Sequence, residues 1–177
     1  METAFAGVKL EVIRGDITRQ SDMKAVVNAA NAELRSGGGV AGAIHRAAGP
    51  ELERVCRPLA PISPGEAVIT EAFRLPNDWV IHCLGPVYGR DQPKDELLAS
   101  CFLQALQLAE QHQIPSIAFP AISTGIFGYP LAEAARVVLS AIRSQASQLD
   151  KVEHIRLVLY GEHDLEVVEQ VLQESVE

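Results

Sequence analysis

Apolar residues along this chain fall into two rhythms, one short and one helical. VKLEVIRG, around Val8–Gly15, alternates Val8, Leu10 and Val12 with polar neighbours, and Arg14 takes the next position on that face; the pattern predicts a half-buried strand. AVVN at Ala25–Asn28, AVIT at Ala67–Thr70 and WVIHCL at Trp79–Leu84 predict three further short strands. Pro76, Asn77 and Asp78 mark the turn between the last two. From Lys94 the period lengthens. Leu97, Leu98, Cys101, Phe102, Ala105, Leu108 and Ala109 recur at helical spacing across Lys94–His112. SIAFP at Ser116–Pro120 reads as an apolar strand, and Leu131, Ala134, Ala135, Val138 and Ile142 give a second helix opened by Pro130. IRLVLY at Ile155–Tyr160 is the last strand, and a final helix from about Asp164 turns Leu165, Val168 and Leu172 inward.

Fully apolar strands interleaved with amphipathic helices predict a sheet covered on both faces, an α/β protein of three α/β/α layers around a mixed, partly parallel sheet. No repeat or Ser/Gly-rich linker divides residues 1–177, so one domain is expected. Ligands of such sheets bind in loops beyond the C-terminal strand ends. The loops after Val27, Phe119 and Leu159 are therefore where a site is sought.

Two of those loops are unusual. After Asn28-Ala29-Ala30-Asn31 comes Gly37-Gly38-Gly39-Val40-Ala41-Gly42, a stretch without charge that runs into the helical AGAIHRAA of Ala41–Ala48. Backbone N–H groups at such a helix start hold an anion without Lys or Arg. A plain tight turn is the bland alternative, but three consecutive glycines exceed what one turn needs. The second loop, Ala121 to Pro130, carries Ser123-Thr124-Gly125 and again leads into a helix. Facing each other, the two loops would suit a ligand with two linked phosphates. Gly37, Gly39 and Gly42 also satisfy G-x-G-x-x-G, but they lie well past the strand end and no acid near position 62 is placed for a ribose.

Charge and composition narrow the options further. With 15 basic against 23 acidic residues, the net charge of -8 counts against non-specific duplex binding, while fixed backbone dipoles still act locally. Cys56, Cys83 and Cys101 form no CxxC and read as reduced core thiols of a cytoplasmic protein. Met1–Val8 shows no signal-peptide pattern, and the uncharged run Gln113–Ala132 is broken by Pro and Gly, so buried strand plus loop is expected there, with no membrane partner. His82 reads as a hydrogen-bonded core histidine and His45 as packed or partly exposed; His112, His154 and His163 look solvated, as do Glu51, Glu53, Glu110 and Glu133. Neither HExxH nor G-x-S-x-G is present, so no metal site or serine nucleophile is expected.

Taken together, NAANAELRSGGGVAGAIHRAAGPEL, GDIT at Gly15–Thr18, GEAVIT at Gly65–Thr70, VIHCLGPVY at Val80–Tyr88 and FPAISTGIFGYP at Phe119–Pro130 resemble the macrodomain family. The likeness covers about residues 8 to 174 and is strongest to MacroD-type bacterial members, described as O-acetyl-ADP-ribose deacetylases and mono-ADP-ribosyl hydrolases. It implies a macrodomain fold that binds ADP-ribose and its adducts, including mono-ADP-ribosylated proteins, without a cofactor. Nucleic acid would enter only as an ADP-ribosylated end, and a monomer is expected. The resemblance implies that Asp16 accepts the adenine amine beside the Ile17 backbone, and that Tyr160 lies against the base. Asn31 would bond the distal ribose, with Gly38, Gly39, Val40 and Ala41 lining that sugar and one phosphate. Ser123, Thr124, Gly125, Ile126 and Phe127 would wrap the diphosphate. Asn31, Gly39 and Phe127 would serve hydrolysis by orienting the sugar and holding water.

One position departs from that pattern. MacroD-type hydrolases carry an acid in GGGVDxAIH where this chain has Ala41. Related viral members with GGGVAGA are regarded as hydrolases that use a substrate phosphate to activate water; they place a histidine before the glycines, where this chain has Ser36. Metal-independent, substrate-assisted hydrolysis of O-acetyl-ADP-ribose or of Asp/Glu-linked esters is the leading expectation. A non-catalytic ADP-ribose reader is the alternative, and a nucleotide-cofactor oxidoreductase the remote one.

Overall fold

The computed structural model describes residues 1–176. Seven strands form one mixed sheet: β1 (Glu2–Phe5), β2 (Val8–Arg14), β3 (Ala25–Ala29), β4 (Ala67–Glu71), β5 (Trp79–Cys83), β6 (Ser116–Pro120) and β7 (His154–Leu159). The helices are α1 (Gly39–Ala48), α2 (Pro50–Cys56), α3 (Lys94–Gln111), α4 (Leu131–Ala146) and α5 (Glu162–Val176), with single 3-10 turns at Ile17–Arg19 and Arg57–Leu59. Strand order is β1-β2-β7-β6-β3-β5-β4. The five inner strands run parallel, and β1 and β4 are antiparallel edges.

β1 lies outside the strands that the apolar pattern predicted. It is short and half polar, and it pairs with β2 through Ala6 and Gly7, both at positive φ (50° and 83°), the two-residue turn that matches strand twist. α2 follows α1 after only Gly49, with Pro50 at its first position, where a missing N–H costs nothing.

Strand side chains alternate between two cores. Ala25 and Val27, Ile81 and Cys83, Ile117 and Phe119, Ile155 and Leu157 join the cluster under α3, α4 and α5. Val26, Val80, Ala118 and Val158 join the cluster under α1 and α2. The three layers are thus present. α5 begins slightly earlier than the periodicity predicts, and it buries Val168, Val171 and Leu172 while Leu165 is half-buried. The uncharged run Gln113–Ala132 is strand plus loop as expected, and no described helix is long and apolar enough to cross a membrane.

One sheet feature positions the site. β3 pairs with β5 along its whole length, from Ala25 to Ala29, and β6 pairs with β7 from Ser116 to Pro120. β3 and β6 pair only at Ala25–Ile117 and Val26–Ala118. Beyond that point the two inner strands diverge, and a crevice opens between their C-terminal ends.

Candidate functional site

The crevice has a volume of about 370 Å³ and is lined by Ala29, Ala30, Asn31, Gly38–Ala41, Gly85, Ala121–Ser123 and Gly125–Phe127. That volume suits a nucleotide-sized ligand. No charged side chain lines it. Any anion bound here must be met by backbone N–H groups and uncharged side chains.

Those groups are available because α1 starts without a side-chain cap. Its N-cap is Gly38, and Gly39 adopts φ 58°. The first-turn amides therefore stay open at the positive end of the helix dipole. Close packing holds this turn in place: a Cβ on Gly42 would lie 2.1 Å from the Gly37 carbonyl oxygen. Upstream, Asn31 closes its own loop, accepting from the Arg35 N–H at 3.0 Å and donating to the Arg35 carbonyl at 2.8 Å, while Leu34 is buried beneath. Asn31 is thus a turn clamp as well as a crevice residue. The side-chain N and O of Asn31 each retain one unused bonding position.

The facing loop is held from below. Gly85, at the end of β5, sits so close that a Cβ there would lie 2.0 Å from Ser123 Oγ. Ser123 adopts φ 67°, is buried, and leaves its hydroxyl without a protein partner. A non-glycine residue in this conformation stores strain, which recurs at ligand sites. Buried Tyr129 bonds back to the Ser123 carbonyl at 2.9 Å and anchors its hydroxyl on Asp95, and the Tyr88 N–H donates to the Phe127 carbonyl at 2.8 Å. Ile126 projects bare from the loop tip at 98% exposure, while Phe127 packs on the α1-side core.

Nine of the residues singled out from the sequence meet here: Asn31, Gly38, Gly39, Val40, Ala41, Ser123, Gly125, Ile126 and Phe127. Thr124 turns instead toward an apolar cavity behind the loop, among Ala121, Leu131, Ala134 and Val158. Asp16, Ile17 and Tyr160 form a separate cluster at the neighbouring ends of β2 and β7, where Gly15 N–H bonds the Leu159 carbonyl at 2.9 Å. The Ile17 side chain is buried in the core, and Tyr160 is 86% exposed. Asp16 Oδ1 accepts from both the N–H and the hydroxyl of Thr18, which, with Arg19 nearby, keeps its carboxyl below the usual range. Ala29, Ala30, Gly85, Ala121 and Ile122 complete the crevice and carried no individual role in the sequence reading. β5 lies beside β3, so the strand-end rule applied to the loop after Leu84 would have found Gly85.

The remaining ionisable groups serve the fold. His82 is fully buried, and desolvation pushes its pKa down to about 3. It bonds Asn28 at 3.1 Å and Thr70 at 3.0 Å, matching its reading as a core histidine. His45 is buried with Nε2 unpaired, and burial lowers its pKa. His154 is not solvated as the sequence suggested, because it is half-buried against Glu11. Glu110 likewise leaves its helix face to accept the N–H groups of Asp150, Lys151 and Val152. Burial raises all three thiols, Cys56 to about 11, Cys101 to about 12 and Cys83 well above its ordinary value, so none is a ready nucleophile. Among the described residues no group of three or more His, Cys, Asp or Glu is placed to hold a metal ion.

A sequence model described as the Macro domain matches residues 27–138. A macro domain-containing protein of Chlorobaculum tepidum is 45% identical over 93% of this chain and 96% of its own length. The ADP-ribose glycohydrolase MACROD1 of Bos taurus is 46% identical over 88% of this chain and 49% of its own. Among solved structures, the Oceanobacillus iheyensis macrodomain with ADP superposes with a TM-score of 0.94 at 38% identity, covering 99% of this chain and 96% of that one. The Trypanosoma brucei macrodomain in complex with ADP-ribose superposes at 0.86 with 34% identity, covering 92% and 68% respectively.

Proposed function

The chain belongs to the macro domain family, and on that premise we propose that it binds ADP-ribose and hydrolyses ADP-ribose adducts. The observation that carries the binding is the crevice itself. Two glycine loops face each other across the split between β3 and β6, offer uncapped amides, and line the cavity without a single charged side chain. A diphosphate fits that chemistry, because fixed N–H dipoles favour it at any net protein charge. The solved macrodomains with ADP and in complex with ADP-ribose support the same reading.

For hydrolysis, the proposed reaction is attack of water on an ester joined to the distal ribose, freeing an acyl group or an Asp/Glu side chain. Ala41 offers no base, so a ligand phosphate oxygen takes the proton, while Asn31 and the Gly38–Gly39 turn orient sugar and water and Phe127 limits the sugar's pose. The likeness to a named ADP-ribose glycohydrolase supports turnover. Ala41 itself favours the second reading, a reader that binds without turnover.

The deciding experiment follows release of ADP-ribose from an Asp/Glu-linked mono-ADP-ribosylated protein and of acetate from O-acetyl-ADP-ribose. Release by the wild-type chain, faster in Ala41→Asp, is the expected outcome. Tight ADP-ribose binding with no release from either substrate would make the protein a reader.

A further inference from the structure

The most elaborate polar network in the molecule lies outside the crevice, beneath the turn that carries Asp16. Gln20 is only 5% exposed, yet both ends of its side chain are used. Nε2 donates to the Asp16 carbonyl at 2.8 Å, and Oε1 accepts from Arg156 Nη1 at 3.0 Å. The Gln20 backbone carbonyl is pinned as well, by Asn77 Nδ2 at 2.7 Å. Arg156 rises from the middle of β7, is 8% exposed, and is held by Glu11 at 3.0 Å and by Asp22 at 2.7 Å. Burying a guanidinium is costly unless every donor is met, so the fold commits an expensive group to this spot.

The network leads to one place. Asp16 is fixed at its carboxyl by Thr18 and at its carbonyl by Gln20 and the Arg19 N–H. With Oδ1 occupied, Oδ2 faces only the Arg19 Nε at 4.0 Å, and the side chain is about half exposed at the β2 strand end beside Tyr160. A carboxylate oxygen accepts and cannot donate. Held rigidly against a purine edge, it welcomes a 6-amino group and repels a 6-oxo group; free to rotate or solvate, it discriminates poorly.

Resting on the ADP-ribose reading above, we propose that Gln20 and Arg156 are positioning residues that set the choice of base. Neither touches the ligand. Arg156 orients Gln20, Gln20 locks the Asp16 peptide, and the locked carboxylate selects adenine over hypoxanthine.

The test compares affinities for ADP-ribose and for inosine diphosphate ribose, measured by calorimetry on the same preparation. Their ratio is insensitive to any fraction of misfolded protein, which a merely structural role would change. Gln20→Met keeps the length and removes both bonds; Arg156 Nη1 keeps Asp22 at 2.8 Å but loses the partner of its second N–H, and the Asp16 carbonyl keeps the Arg19 N–H at 3.0 Å. The wild-type preference for ADP-ribose is expected to fall about tenfold in Gln20→Met, the effect of one well-placed hydrogen bond. A smaller fall is expected in Arg156→Lys, which keeps the charge for Glu11 and Asp22 but loses the fork that also reaches Gln20. Asp16→Asn separates the two layers, since its amide can donate to the 6-oxo group and should abolish the preference. An unchanged ratio in Asp16→Asn would overturn the assignment of Asp16 to the base, and the proposal with it. A collapsed ratio in Asp16→Asn beside an unchanged ratio in Gln20→Met would overturn the positioning role alone.

Discussion

The two ends of the proposed ligand site are built in opposite ways. The crevice end is made of backbone: glycines at close approach, an uncapped helix start, and a strained Ser123, with no charge in its lining. The Asp16 end is made of side chains, locked by a buried network that runs to Arg156, Glu11 and Asp22. Phosphate needs only N–H dipoles, and backbone supplies these wherever the chain can turn tightly. A purine edge needs a directed acceptor, and a single acceptor is selective only when its direction is fixed. One end should therefore fail when atoms are added, and the other when polar partners are removed.

Adding a Cβ at the crevice is expected to have the largest effect. Gly42→Ala forces a carbon to 2.1 Å from a backbone oxygen, and Gly85→Ala forces one to 2.0 Å from Ser123 Oγ. Each should cost about 3 kcal/mol or more in thermal unfolding, or about 100-fold in ADP-ribose affinity where the loops shift to absorb it. Ser123→Gly should partly rescue Gly85→Ala, because it removes both the clashing hydroxyl and the unfavourable φ; a double variant no better than Gly85→Ala would show that the approach is not what positions the loop.

Removing a partner at the other end comes next. Arg156→Met should cost about 2 to 3 kcal/mol at neutral pH, because half-buried Glu11 loses its guanidinium and keeps only His154. The cost depends on pH. Hydrogen bonds from Arg156 hold Asp22 down to about 2, and for Glu11 burial pushes the pKa up but is outweighed by Arg156 and His154, which leave it lowered. Groups with depressed folded-state pKa values stabilise fully above about pH 5, beyond the ordinary carboxylate range, and lose that contribution as pH falls toward 2. Urea unfolding of wild type and Arg156→Met should therefore differ at pH 7 and converge in acid, whereas a pH-independent gap would mean that lost packing, not charge pairing, explains the variant.

Asn31→Ala sits between the two regimes. It deletes two hydrogen bonds that close the 31–35 loop, so stability should fall by about 1 to 2 kcal/mol along with ligand affinity. A variant that loses turnover at unchanged melting temperature would assign Asn31 to the ligand alone. Tyr160→Ala is the mildest change, since an 86% exposed ring supports nothing in the fold. It should leave the melting temperature unchanged and weaken ADP-ribose binding by about tenfold, about 1.4 kcal/mol, through lost stacking on the base.

What the sequence revealed divides along the same line. Alternation in Val8–Val12 and helical spacing across Lys94–His112 carried most of the architecture, because burial imposes those periods directly. The glycine loops were legible because backbone chemistry shows itself as missing side chains. β1 was not, since ETAF has no apolar alternation and earns strand geometry only by pairing with β2. The split between β3 and β6 was also hidden, because it depends on where pairing stops between segments far apart in the chain. The Arg156 network was the least visible part. Its members at positions 11, 20, 22 and 156 share no local pattern, although a lone arginine inside IRLVLY was a signal that something must meet it.

The most direct test is a calorimetric titration of the wild-type chain with ADP-ribose beside adenosine near pH 7. Facing amide loops that hold the diphosphate require one-to-one binding of ADP-ribose near 1 μM, about −8 kcal/mol, with adenosine weaker by about 100-fold or more. Equal affinities would mean that the base end does all the binding, and would contradict the assignment of the crevice to the phosphates.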